Sequence, residues 1–114
     1  MAATNLILSE YRAMWLFAMF DLPVDTKAAR REYTQFRKAL LKKGFSMMQY
    51  SVYARYCVSE EASESFRNHV RDVLPSDGQV RLIAITDRQF GKMDVYYGKN
   101  HESAEDPPAQ LLLF

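Results

Sequence analysis

The chain has 114 residues, 48% hydrophobic and 13% aromatic, with 15 basic and 14 acidic side chains for a net charge of +1. That length supports one domain around a single modest core, and that apolar content excludes a disordered protein. The single cysteine, Cys57, excludes an internal disulfide and suits a reducing cytoplasm, and it makes no zinc cluster with the distant His69 and His101.

Residues 1–13 read as an N-terminal arm, either a helical turn or part of an interface. Seven apolar residues, Met14 to Phe20, then run straight into Asp21. A run of that length, rich in aromatic residues and closed by Leu22-Pro23, reads as a buried strand with Asp21 where it surfaces. A strand holds such a carboxylate rigidly enough to serve as a metal ligand or acid/base group. The plainer reading is a hydrogen bond to the turn or a cap on the next helix. The apolar run is far too short to cross a bilayer, and no signal-peptide cleavage pattern follows it, so a cytoplasmic protein without a membrane partner is expected.

Asp25 or Thr26 is a fitting N-cap for a helix that runs to about Lys43, with Gly44 as its stop. At about 100° per residue, Ala29, Tyr33, Phe36 and Leu40 form one narrow stripe. Lys27, Arg31, Lys38 and Lys42 form another almost opposite, with Arg30 and Arg37 on its flank. Counting Lys43, seven basic residues face Glu32 alone in this segment. The net charge of +1 therefore conceals a cationic ridge.

Phe45 to Val58 alternates in the β manner and is long enough to divide near Gln49–Ser51 into two strands. Ser59 caps a second helix, with Glu60 and Glu61 in its first turn and Pro75 beyond its end. Its expected inner face is Ala62, Phe66, His69 and Val73. Ser76-Asp-Gly78 turns into a strand over 80–86, and residues 93–97 make a short fifth strand on a sheet edge or across a dimer interface. The resulting 14–98 domain is α+β. Its β-α-β-β-α-β order with an added C-terminal strand is the ferredoxin-like arrangement, a four-stranded antiparallel sheet with both helices on one face. The aromatic and methionine residues of the strands leave the other face to be covered by a second copy, in a two-fold homodimer. Residues 99–114 read as a polar linker and an apolar tail, Leu111, Leu112, Leu113 and Phe114, suited to docking on a partner.

No phosphate-cradling glycine loop and no Ser-His-Asp or Cys-His set occurs. His69 reads as a packed residue, His101 as a solvated one and Cys57 as a small buried apolar group. The ridge of Lys27, Arg30, Arg31, Arg37, Lys38, Lys42 and Lys43 suits nucleic-acid phosphates, although a solvated helix face also carries such charges. Arg81, Arg88, Lys92 and Lys99 are further candidates for phosphate contact. A two-fold axis near the first strand would pair Asp21 with its symmetry mate around a magnesium ion, with Ser51 and Gln49 as candidate helpers.

Several segments together resemble the second of the two universal CRISPR-associated adaptation proteins. They are Phe20-Asp21-Leu22-Pro23, the basic helix ending at Gly44, Gln49-Tyr-Ser-Val-Tyr53 and Thr86-Asp-Arg-Gln-Phe90. The resemblance runs from about Ser9 to Lys99, and Ser9-Glu-Tyr-Arg12 with Asp87-Arg-Gln-Phe90 looks most like the type II systems. It implies a ferredoxin-like homodimer that bridges dimers of the CRISPR integrase. Such a dimer holds a double-stranded prespacer through basic side chains for insertion into the CRISPR array. It also implies a magnesium ligand at Asp21, and in some members an endoribonuclease or DNA endonuclease activity. The tail, Leu111 to Phe114, would then dock on the integrase. The expectation is thus a DNA-binding scaffold, with a magnesium-dependent endonuclease using Asp21 as the alternative and a lone toxin-like ribonuclease as a weaker one.

Overall fold

The structure is a computed structural model and describes residues 12–108. The first strand, β1 (Met14–Asp21), leads to helix α1 (Lys27–Lys42) and the strand pair β2 (Ser46–Gln49) and β3 (Val52–Cys57). Helix α2 (Glu60–Asp72), strand β4 (Gln79–Thr86) and the short helix α3 (Asp87–Gly91) follow, then a hairpin of β5 (Asp94–Tyr97) and β6 (Asn100–Ser103). The order β2-β3-β1-β4, antiparallel throughout, gives the ferredoxin-like α+β sheet expected from the sequence.

β1 is the central element, paired with β3 on one side and β4 on the other. Its side chains alternate between two apolar faces. Met14, Leu16, Ala18 and Phe20 pack with Phe36 and Leu40 of α1, Val70 of α2, and Tyr53 and Cys57 of β3. Both long helices therefore lie on one face. Each leucine or phenylalanine fully buried there contributes about 1.5–3 kcal/mol.

α1 begins at Thr26, whose hydroxyl accepts from the Ala29 amide at 3.0 Å. It ends in a Schellman motif, with Phe45 N donating to Leu40 O and Gly44 N to Leu41 O, both at 3.0 Å. Gly44 takes the left-handed conformation the motif needs, at φ 85°. Phe45 and Leu40 join the same core, so the cap also clips the chain into β2. In α2, Ser59 is the N-cap as expected, but Ser63 and Val70 are its buried residues while Val73 is 40% exposed. The inner stripe is therefore rotated toward Val70, because Val73 stands past the last turn as the C-cap.

Two differences concern the second face of the sheet, which is partly covered. Thr86 and Gln89 form a reciprocal capping box that folds Thr86–Phe90 into α3. Phe90 then stacks on Trp15 with ring centroids 3.9 Å apart, and Trp15 Nε1 donates to Asp87 Oδ1 at 2.8 Å. The segment read as a linker from Lys99 carries β6, which among the described residues pairs with β5 alone in a separate two-stranded sheet. Gly98, at φ 63°, takes the first position of the two-residue loop between them.

Candidate nucleic-acid interface and strand-end carboxylate

Asp21 is the last residue of β1 and is exposed. Alternation assigns it to the row of Trp15, Phe17 and Met19, the sheet face turned away from α1 and α2. Its register partner is Gln79 of β4, and Arg81, two residues on, faces Met19. Arg81 Nε donates to Gln79 Oε1 at 2.8 Å, so a guanidinium, an amide and a carboxylate share this end of the face. Gly78 turns the chain beneath them: a Cβ there would lie 2.7 Å from the Asp21 carbonyl oxygen. The candidate helpers separate. Ser51 accepts from the Phe20 amide at 3.0 Å through its carbonyl, while Gln49 belongs to β2, beyond β3.

No group of three or more histidine, cysteine or acidic residues converges among the described residues. Among the described residues, β1 and β4 supply one carboxylate at this end, Asp21. Magnesium takes one or two carboxylates and completes its octahedron with water and phosphate oxygens, so the donor type fits. Burial pushes the Cys57 thiol up to about 11, against smaller opposing effects of Arg55 and a backbone hydrogen bond at Leu16. His69 is half-buried beside Phe66.

The ridge lies along α1. Lys27, Arg30, Arg31 and Lys38, with Thr34 and Gln35, line a shallow groove of about 420 Å³. Lys42 continues the exposed stripe at the helix end. Arg30 Nη1 also donates to Val24 O at 3.1 Å, pinning α1 to the loop that leaves Asp21. None of the seven basic residues forms an ion pair among the described residues. Glu32, the helix's acidic residue, is instead held by the Ser76 hydroxyl at 2.7 and 2.9 Å. Two members of the set stand apart. Lys43 is the C-cap, its carbonyl accepting from Arg55 Nε at 3.0 Å. Arg37 is half-buried and donates through Nε to Tyr53 Oη at 2.7 Å.

Sequence reasoning did not assign Gln79 or Tyr53 a part in either region. Gln79 becomes visible only through the β1–β4 register. Tyr53 carried a signal, a hydroxyl on a residue of a β3 row that also holds the apolar Cys57, but its partner sixteen residues away was not readable. The docking tail, Leu111 to Phe114, lies outside the described residues, as does most of the N-terminal arm.

A ferredoxin-like sheet with a cationic first helix and a carboxylate at the end of its central strand defines the class of this chain. The family model described as CRISPR associated protein Cas2 matches residues 14–93. A Parvibaculum lavamentivorans protein named CRISPR-associated endoribonuclease Cas2 is 52% identical over 101 residues, 89% of this chain and 100% of that relative. Proteins of the same name from Flavobacterium psychrophilum and Paracidovorax avenae are 43% and 42% identical. Those alignments cover 94% and 95% of this chain, and 93% and 100% of the relatives. The chain belongs to the CRISPR-associated Cas2 family.

Proposed function

We propose that the chain acts in CRISPR adaptation as a homodimeric scaffold that holds duplex DNA beside the CRISPR integrase. The observation that carries this reading is the unpaired ridge on α1. Five exposed cations, Lys27, Arg30, Arg31, Lys38 and Lys42, have no carboxylate partner among the described residues. Such a row neutralises phosphates without reading base sequence, as a scaffold for varied prespacers must. Support for the dimer comes from the second sheet face, where Phe17, Met19, Val52 and the hairpin residues Val95, Tyr96 and Tyr97 border an apolar hollow of about 530 Å³. A second copy seated there would cover that surface.

Duplex binding read by fluorescence anisotropy at physiological salt tests the ridge. Arg30→Glu combined with Lys38→Glu is expected to weaken binding at least about tenfold and to flatten its salt dependence, with the dimer intact. Unchanged affinity would remove α1 from the interface.

A second reading starts from the relatives' name, CRISPR-associated endoribonuclease, and extends it to a magnesium-dependent endonuclease acting on RNA or DNA through Asp21. Asp21 from two chains would hold the ion, which when bound supplies charge to stabilise a phosphodiester under attack. Gln79 holds Arg81 on the same face, where its guanidinium would orient a phosphate. This reading expects metal-dependent cleavage by the dimer that disappears in Asp21→Ala. Equal cleavage by that variant points to a contaminating enzyme.

A further inference from the structure

Arg37 differs from the rest of the ridge. It lies on the flank of the stripe with Arg30, seven residues and about 10.5 Å along the helix axis from it. Its Nε is spent inward, on a tyrosine hydroxyl that is fully buried in the helix-facing core. Tyr53 packs against Phe20 at 5.5 Å between ring centroids, and its backbone is fixed by pairing with Ala18 and Met47. Ring and hydroxyl are enclosed by the core, at 0% exposure. Arg37 is thereby held at its Nε by a rigid acceptor, unlike Lys27, Arg31, Lys38 and Lys42, for which no side-chain hydrogen bond occurs among the described residues. Its two Nη groups carry four further donors and bond no other side chain or backbone group among the described residues.

A guanidinium fixed at one edge presents its opposite edge in a set direction, which lowers the ordering cost of meeting an anion. We propose that Tyr53 is a positioning residue for nucleic-acid binding, its buried hydroxyl aiming Arg37 at one backbone phosphate beside the α1 groove. The inference rests on the duplex-binding reading and adds to it a phosphate site whose geometry is set from within the core. The other ridge cations contribute through charge. Arg37 contributes through charge and direction, so it registers the duplex along the helix.

The test is a double-mutant cycle in the full-length dimer, read by duplex affinity across a salt series. Tyr53→Phe removes only the hydroxyl, and Arg37→Gln keeps a donor for it, so both variants are expected to fold. Arg37→Gln is expected to lower the slope of log affinity against log salt by about 0.9, one phosphate contact. Tyr53→Phe is expected to weaken binding about threefold to tenfold in the wild-type background and to have no effect in the Arg37→Gln background. A tyrosine with a purely structural role would weaken binding equally in both backgrounds, and that result overturns the proposal. So does wild-type affinity in Tyr53→Phe, or an unchanged salt slope in Arg37→Gln. If reversing the charges of Arg30 and Lys38 has no effect either, the duplex-binding reading falls and this inference falls with it. If that reversal weakens binding while Tyr53→Phe does not, the inference alone fails.

Discussion

Cys57 shows how one buried atom ties the fold to pH. Its thiol is 1% exposed in the core between β1, β3 and the helices, and burial raises its pKa from 9.0 to about 11. The neutral thiol is the form the folded state holds. The stabilising contribution is therefore complete below about pH 9 and is lost as pH rises through about 11. Melting temperatures recorded from pH 8 to 11 should fall more steeply for wild type than for Cys57→Ala, whose fall reports the remaining groups, Tyr56 among them. Parallel curves would show that the thiol titrates alike in the folded and unfolded chain, so that burial does not shift it. The same burial explains why this cysteine offers no nucleophile. Trp15 is the counterpart on the opposite face. Its size was legible in the sequence as core, but its need for an acceptor at Nε1, met by Asp87 72 residues on, was not.

At the level of elements, local rules carried far. The start of α1 at Thr26, its end at Gly44, the Ser59 cap of α2 and the division of residues 45–58 at Tyr50-Ser51 all follow from capping and turn chemistry acting within a few residues. Where local rules fell short, the missing information was non-local. Thr86–Phe90 carries the local capping pair Thr86 and Gln89, but where the short helix α3 docks is set by the Phe90 ring stacking on Trp15. Asn100–Ser103 is polar and reads as linker, yet it pairs with β5 because the Gly98-Lys99 loop returns the chain alongside it. The alternating set Val52, Ala54 and Tyr56 is genuine but marks the face away from the helices. Tyr53 and Cys57 point into the larger core. With apolar residues on both faces of β3, alternation alone does not say which face the helices take.

On the scale of the whole molecule, the two sheet faces divide the labour. One is sealed by α1 and α2, so the ridge on α1 looks outward to solvent. The other is roofed at one end by α3 and overhung by the β5–β6 hairpin, leaving Ile83 48% exposed and Phe17 and Met19 half-buried. In the proposed homodimer this remaining surface is the contact, and Asp21 belongs to its row. Ile83→Glu would set a carboxylate in the middle of that contact. Sedimentation should then give a monomer with an unchanged circular dichroism spectrum. A dimer that survives Ile83→Glu would move the interface to the hairpin or to the free edge of β4.

The chain alone determined the βαββαβ order, the strand end at Asp21 and the cationic stripe of α1. Each depends on periodicity, capping or charge among residues close in sequence, and such interactions are nearly independent of what packs against them. Only the tertiary structure decided that Gln79 and Arg81 stand beside Asp21, that Trp15 is roofed by Phe90, and that Arg37 is anchored on Tyr53. Those contacts come from strand register and from helix rotation over the sheet. A register shift of one residue, or a helix turned by a third of a turn, exchanges every partner while leaving the local pattern of the sequence unaltered.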